Sequence, residues 1–196
     1  DCTGQVEFTF QGTTEVGVLS QGALSGDFAF WSNAGDESNT SLEKTFDLTK
    51  VNGPVTFEYS VWYNLEEDYD YLYLTASTDG QNWEILETPS CTYEDPSGNS
   101  YGCGYNGDTY GYIREIVDLS DYAGQQVTLR FDYVTDAAIV GEGLLLDDMA
   151  IPEIGYASDF EQDDGGWEAR GFVRIENRLP QTFRVTVIRD GAEKSV

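Results

Sequence analysis

The stretch FEYSVWYNLEEDYDYLYLTASTDGQNW, residues 57–83, decides how this chain is expected to fold. From Phe57 to Tyr63, large apolar residues occupy every second position, which is the period-two pattern of a β-strand with two unlike faces. A second alternating run extends from Tyr71 to Ser77. The stretch therefore predicts two central strands of a β-sandwich, joined by an acidic loop at Glu66–Asp70. That loop is electrostatically unfavourable unless a cation or an arginine neutralises it.

The composition of the whole chain also favours an all-β fold. Its 196 residues include 21 Gly, 13 Tyr and only 5 Pro, and aromatic residues make up 14%. This balance favours strands and tight turns over helices and provides side chains for a core. Alternating or apolar runs predict further strands at Val6–Phe10, Phe28–Trp31, Ser41–Phe46, Tyr112–Val117, Val127–Val134 and Leu144–Ile151. We predict a two-sheet antiparallel, jelly-roll-like sandwich over residues 1–154.

The chain changes character after Pro152. Residues 155–167 are acidic and glycine-rich, and two strand-like runs follow at Phe172–Ile175 and Thr182–Ile188. We predict that residues 155–196 form an acidic linker and a β-hairpin. This extension either packs on the sandwich or begins a following domain.

The charge of the chain limits its partners. It carries 36 Asp and Glu against 10 Lys and Arg, a formal net charge of −26 at pH 7. Such a surface repels nucleic acid and anionic lipid, and no apolar run approaches the length of about 18 residues that a membrane helix needs. We expect neither nucleic-acid binding nor membrane insertion. The acidity fits calcium binding, and it also fits a secreted protein kept soluble in salty surroundings.

The chain contains no histidine. Histidine-based catalytic triads and the HExxH zinc motif are therefore excluded, and we expect a non-catalytic chain. A hydrolase that uses carboxylates alone needs two of them about 5 to 10 Å apart. So many acidic residues supply such pairs by chance, so this alternative has little support.

Two of the three cysteines predict a disulfide. Cys91 and Cys103 flank a segment rich in Gly, Tyr and Ser within a long aperiodic stretch, residues 87–110. A disulfide that closes a surface loop is typical of oxidising compartments, so we expect a secreted or cell-surface protein. Cys2 is then left free or paired outside the chain.

Tyrosines in and beside this stretch have no obvious core to fill. They are candidates for a ligand-binding surface that recognises a carbohydrate or a peptide. The alternative is local packing with hydrogen-bonded hydroxyl groups. The candidates are Tyr93, Tyr101, Tyr105 and Tyr110.

The run from Leu144 to Ile151 places two carboxylates among apolar residues. By strict alternation Asp147 shares a face with Leu145 and Met149, while Asp148 lies on the other face. A buried carboxylate without a partner costs several kcal/mol. Each of the two therefore requires a metal ion, an arginine such as Arg130, or a set of N–H donors.

Four segments of the chain carry a resemblance to a known family. They are FWSNAGDESNTSLEKTFDL (30–48), WYNLEEDYDYLYLTASTDGQNW (62–83), DLSDYAGQQVTLRFDYVTDAAIVGEGLLLDDMAIPEIG (118–155) and GGWEARGFVRIENRLPQTFRV (165–185). In these segments the chain resembles the C-terminal β-sandwich region of secreted metallopeptidases of the immune inhibitor A type. The resemblance implies a sandwich of the MAM or carbohydrate-module kind that follows a zinc protease domain. Because the HExxH motif of that protease domain is absent here, peptidase activity is not carried over.

The resemblance also implies a structural calcium ion between an early loop and the last core strand. Asp147 is then the expected ligand with Asp148 close by, and Asp27 and Asp36 are the expected partners from the early strands. Without a metal, Asp147 or Asp148 would accept backbone N–H groups or pair with Arg130. The Glu66–Asp70 loop is either a second ion site or a solvated loop tip.

Taken together, these observations predict a calcium-stabilised, non-catalytic accessory module of a secreted protein. Its expected partner is an extracellular polysaccharide or protein surface, or a catalytic domain of the same parent. The alternatives are a carbohydrate-binding module in its own right and a structural cell-surface or adhesion protein.

Overall fold

The computed structural model describes residues 7–189 and 192–195. These residues form strands together with two short 3-10 turns, Ser120–Tyr122 and Pro152–Ile154. The strands are β1 (Glu15–Val16), β2 (Phe28–Trp31), β3 (Asn39–Asp47), β4 (Thr56–Asn64), β5 (Tyr71–Ser77), β6 (Glu84–Ile85), β7 (Ile113–Asp118), β8 (Gln126–Val134), β9 (Gly143–Ile151), β10 (Tyr156–Ser158), β11 (Glu168–Arg170), β12 (Val173–Glu176), β13 (Leu179–Pro180), β14 (Thr186–Arg189) and β15 (Ala192–Ser195). In this described part, no helix has the length and apolarity needed to cross a bilayer.

The chain divides into two compact units. The larger unit is Leu19–Asn177 and contains β2 to β12. The smaller unit combines residues from both ends of the chain, with β1 paired to β13 and β14 paired to β15, each pair antiparallel. The candidate site described below lies within the larger unit.

The larger unit is a sandwich of two antiparallel sheets. Sheet I has the strand order β12-β2-β9-β4-β7, with β10 paired to β9, and sheet II has the order β11-β3-β8-β5-β6. The two strands of the opening stretch, β4 and β5, therefore lie in different sheets. The acidic loop at Glu66–Asp70 crosses from one sheet to the other.

The core between the sheets is formed by the alternating residues. Phe57 and Tyr59 of sheet I contact Phe131 of sheet II, with ring centroids 6.1 and 5.0 Å apart. All three side chains are fully buried. The outer face of sheet I carries a second, smaller apolar cluster that includes Trp62 and Leu145. Because this sheet is covered on both faces, part of β9 is a continuous apolar run rather than an alternating one.

Most of the predicted strands are present, and the fold class is confirmed. The prediction at Val6–Phe10 differs, because residues 7–10 form no strand and Val6 lies outside the described residues. The segment Phe172–Ile175 was expected to pair with the strand that follows it. Instead β12 pairs with β2, and the hairpin of the tail is β14–β15.

The sandwich extends beyond residue 154. The three short strands β10, β11 and β12 pair with β9, β3 and β2 respectively. They cover backbone groups of β9, β3 and β2 that would otherwise be exposed at sheet edges. The division in the structure therefore falls after Asn177 rather than between residues 154 and 155.

A β-bulge interrupts β9. Asp148 has a φ of 49°, and the pairing of β9 with β4 shifts register between Glu58 and Ser60. The extra residue reverses the alternation beyond it, so Met149 faces the core between the sheets. The expectation that Asp147 shares a face with Met149 is therefore wrong.

Candidate metal centre

The loop between β4 and β5 forms one tight turn. The backbone N–H groups of Tyr69 and Asp70 donate to the carbonyl of Glu66, at 3.4 and 3.1 Å. Asp68 has a φ of 70°, a conformation that Asp adopts more readily than most residues. Such a turn brings residues four positions apart to the same side, so the carboxylates of Glu66 and Asp70 converge.

Asn106 holds this turn in place. Its side-chain amide donates to the carbonyls of Glu66 and Asp70 at 3.3 and 3.0 Å. Its side-chain oxygen accepts the backbone N–H of Asp68 at 3.0 Å. The acidic loop is thus fixed by a residue that lies three positions after Cys103.

A third carboxylate is contributed by Asp136, which lies just beyond sheet II. Asp136 follows the end of β8, and its backbone N–H donates to Asp70 Oδ1 at 3.1 Å. One carboxylate oxygen from each of Glu66, Asp70 and Asp136 lies within 4.8 Å of the others. In the part of the chain that the structure describes, no other group of three acidic or cysteine side chains converges in this way.

The electrostatics of this cluster are unfavourable. Asp70 is fully buried, and burial raises its pKa to about 6, with a further contribution from the negative charges of Glu66 and Asp136. Burial and the charges of Asp136 and Asp36 also raise the pKa of Glu66. The Oε2 atom of Glu66 is buried and accepts no hydrogen bond from the described residues.

Three arginine ion pairs lie elsewhere in the described residues. They are Arg114–Glu58, Arg130–Asp132 and Arg170–Glu43. The hydrogen bonds that Asp70 accepts, from the Asp136 N–H and from the Tyr133 hydroxyl at 3.4 Å, offset only part of its burial. Carboxylate oxygens are the hard ligands that calcium prefers, and calcium takes six to eight oxygens from protein and water. The donor set and the unpartnered Glu66 oxygen fit a calcium ion.

Asp147 has a different environment. Its Oδ2 accepts the backbone N–H groups of Leu24 and Ser25 at 2.8 and 3.2 Å, and its Oδ1 accepts that of Asp148 at 2.8 Å. These are the N–H donors that the sequence offered as the alternative to a metal. The other proposed partner, Arg130, pairs with Asp132.

The four predicted metal ligands do not all meet. Asp148 is exposed and accepts the Ser25 hydroxyl at 2.7 Å, beside Asp147. The backbone N–H of Asp27 donates to Glu161. Asp36 is exposed but acts electrostatically on Glu66, so it belongs with the acidic loop. A metal role for these four residues stays a prediction.

The sequence did not single out Asp136. The sequence left the Glu66–Asp70 loop open as either a second ion site or a solvated loop tip. Glu67 is exposed, while Glu66 and Asp70 are turned toward each other. The available signal was an aspartate two residues after the end of a clearly alternating strand, but its partner Asp70 lies 66 residues away along the chain.

The predicted disulfide between Cys91 and Cys103 is present. The predicted ligand-binding tyrosines have different environments. Tyr105 is buried, and its hydroxyl pairs with that of Tyr59, so its ring is not accessible to a ligand. Tyr93 is 64% exposed, and its hydroxyl donates to Glu87.

The remaining two predicted tyrosines are strongly exposed. Tyr101 is 72% exposed and Tyr110 is 92% exposed. Tyr101, but not Tyr110, lines a cavity beside the acidic loop. The sequence missed Tyr69, which lines the same cavity from within that loop.

The fold and this cluster define an all-β, jelly-roll-like domain with a candidate calcium site between its two sheets. A family model described as the MAM domain of immune inhibitor A-like proteins matches residues 6–177. The chain belongs to this immune inhibitor A-like MAM domain family, which confirms the resemblance found in the sequence.

Three named proteins are similar to this chain in sequence. The chain is 29% identical over 151 residues to the pre-pro-metalloprotease PrtV of Vibrio cholerae, covering 76% of the chain and 16% of that protein. It is 31% identical over 147 residues to immune inhibitor A of Bacillus thuringiensis, covering 74% and 20%. It is 28% identical over 147 residues to bacillopeptidase F of Bacillus subtilis, covering 71% and 9%. The chain therefore spans a fifth or less of the length of these relatives.

Proposed function

We propose that the chain is a calcium-stabilised, non-catalytic accessory domain of a secreted metallopeptidase-type protein. Its family membership and its small share of each longer relative support an accessory role. The lack of histidine argues against zinc-peptidase chemistry in this chain, and the disulfide suits an extracellular compartment. The domain attaches its parent to an extracellular polysaccharide or protein surface, or it braces the catalytic domain.

The observation that carries the calcium proposal is the convergence of Glu66, Asp70 and Asp136. Three carboxylates this close repel one another strongly in a partly buried site, and a divalent cation converts this repulsion into attraction. The ion would be held by the loop after β4 of sheet I and by Asp136, two residues after the end of β8 of sheet II. Calcium would therefore tie the two layers of the sandwich together at this end.

The calcium proposal is tested by thermal melting of the isolated chain in chelator, calcium or magnesium. Calcium should raise the melting temperature, because a ligand that binds only the folded state adds about 2.7 kcal/mol of stability at a hundredfold excess over Kd. Asp70→Asn should remove this response. Asp121→Asn, at an exposed aspartate outside the cluster, should retain it. Identical melting curves in chelator and calcium would refute the proposal.

Attachment and bracing predict different results in the full-length parent. If the domain braces the catalytic part, its deletion should speed thermal inactivation while leaving adsorption to surfaces unchanged. If it attaches the parent, deletion should abolish co-sedimentation with an insoluble extracellular polymer at unchanged thermal stability. A parent that loses neither property on deletion would contradict both roles.

A further inference from the structure

A cavity of about 210 Å³ lies next to the calcium cluster. Tyr69, Tyr101, Asn99 and Asp136 are among the residues that line it. Asp136 belongs to both the cavity and the carboxylate cluster. Drug-sized ligand sites have volumes of roughly 300 to 1,000 Å³, so this cavity suits a smaller group of about one ring.

One aromatic residue of the cavity, Tyr101, is held in place by neighbouring tyrosines. Tyr101 packs on Tyr73 with ring centroids 5.8 Å apart, and its backbone N–H donates to the Tyr73 hydroxyl at 2.9 Å. Tyr73 in turn stacks on Tyr71 at 6.0 Å. The Cys91–Cys103 disulfide closes the same segment. A ring that is fixed before binding loses little conformational entropy when it contacts a ligand.

Tyr69 and Tyr101 both present exposed surface to the cavity. Tyr69 is 45% exposed and Tyr101 is 72% exposed, and both line a concave surface instead of standing alone. Tyrosine combines an apolar ring face with a polar hydroxyl. Together with the side-chain amide of Asn99, this surface offers ring stacking and neutral hydrogen bonds to one ligand.

The charge of the site selects among ligands. The lining includes no lysine or arginine among the described residues, so a phosphate, a sulfate or a uronic acid would meet only the negative charge of Asp136. An ammonium group would require the Asp136 carboxylate to be free. If calcium holds that carboxylate, a neutral ligand with an apolar ring face and many hydroxyl groups remains.

We propose that this cavity binds the terminal unit of a neutral saccharide, stacked against Tyr101 and Tyr69 beside the calcium site. This inference rests on the proposed calcium site, because calcium neutralises the carboxylate that would otherwise favour an ammonium group. In the attachment role, a neutral saccharide would be the ligand that the domain recognises. Saccharide binding should therefore weaken in chelator.

The test is an array of neutral oligosaccharides ending in hexose or N-acetylhexosamine, probed with the calcium-loaded chain and followed by calorimetry on the glycans retained. At least one glycan should bind, and Tyr101→Ala should weaken its affinity about tenfold or more. Tyr69→Ala should also weaken it. Tyr110→Ala is the matched control, because Tyr110 is 92% exposed but does not line the cavity. The affinity of this variant for the glycan should be unchanged.

Three outcomes would overturn the inference. These are an array with no glycan retained, equal losses in the Tyr101 and Tyr110 variants, and binding of trilysine that calcium displaces. The last would assign the cavity to an ammonium ligand. Melting curves of the same samples separate the two proposals. A calcium-dependent melting temperature without glycan binding refutes the saccharide alone, while glycan binding through Tyr101 without any calcium response refutes the calcium site alone.

Discussion

Asp70 and Asp147 are both fully buried, and burial raises the pKa of each to about 6. Their surroundings nevertheless differ. Asp147 accepts three backbone N–H groups and fixes the segment around Leu24 and Ser25 to the outer face of sheet I. Asp70 accepts one backbone N–H and a distant phenol, and it faces two other carboxylates. Equal burial therefore does not imply an equal role, because three amides offset part of the cost of burying Asp147, whereas Asp70 has one amide and faces two further carboxylates.

The largest expected effect separates these two aspartates by mutation. Asp147→Ala removes, at a fully buried position, the acceptor of the backbone N–H groups of Leu24, Ser25 and Asp148, which should cost on the order of 3 kcal/mol of unfolding free energy in urea. The calcium-induced rise in melting temperature should persist, because Asp147 lies outside the carboxylate cluster. Asp148→Asn, at the exposed neighbour, should cost less than about 1 kcal/mol.

The opposite result would move the proposed calcium site from Asp70 to Asp147. If Asp147→Ala abolished the calcium response while Asp70→Asn retained it, the ion would lie where the family resemblance first placed it. The three N–H contacts of Asp147 would then be insufficient to explain its burial.

A smaller effect appears in the pH dependence of stability in chelator. The pKa of Asp147 is about 6 in the folded state against 3.8 for the unperturbed group, so the folded state favours the protonated form. Its contribution to stability is fully present below pH 3.8 and is lost as the pH rises through 6. In Asp147→Asn, the fall in unfolding free energy between pH 4 and pH 7 should be smaller by on the order of 2 kcal/mol.

Urea titrations at several pH values measure this difference between wild type and variant. A wild-type curve parallel to that of Asp147→Asn would show that the carboxylate keeps its charge at no cost. In calcium, the response of the wild type should grow with pH over the same range, because calcium binds the ionised carboxylates of the cluster.

The smallest expected effect concerns two asparagines, one that holds the acidic loop and one that holds the segment before β2. Asn106 bonds the acidic loop through Glu66, Asp68 and Asp70. Asn177 forms hydrogen bonds with the backbone of Leu19 and Gln21, in the segment before β2. Asn106→Ala should weaken calcium affinity about tenfold by loosening the loop, measured by calorimetry.

Asn177→Ala is the matched control for that measurement. It removes a similar set of side-chain contacts to backbone from the other region, so it should lower the melting temperature in chelator and leave calcium affinity unchanged. Equal losses of affinity in both variants would mean that general loosening of the fold, and not the geometry of the acidic loop, sets calcium binding.

The sequence by itself determined the strands, the sandwich, the disulfide and the acidic crossing loop. These follow from local signals, since alternation has a period of two residues and Cys91 and Cys103 are 12 residues apart. It also indicated that the carboxylates of β9 need partners. The sequence-based prediction was wrong where strict strand alternation is interrupted. The bulge at Asp148 places Met149 on the opposite face from the one that alternation predicts.

Only the tertiary structure decided which carboxylates meet and which find amide donors. Asp70 meets Asp136 because one loop crosses between the sheets and the other follows β8, 66 residues further along the chain. Asp147 finds Leu24 and Ser25 because a segment more than 120 residues earlier covers sheet I. Partners at such separations depend on strand order and register, which hydrophobic patterning constrains only weakly. The compensation of a buried charge is therefore a property of the fold and not of the residues beside it in the sequence.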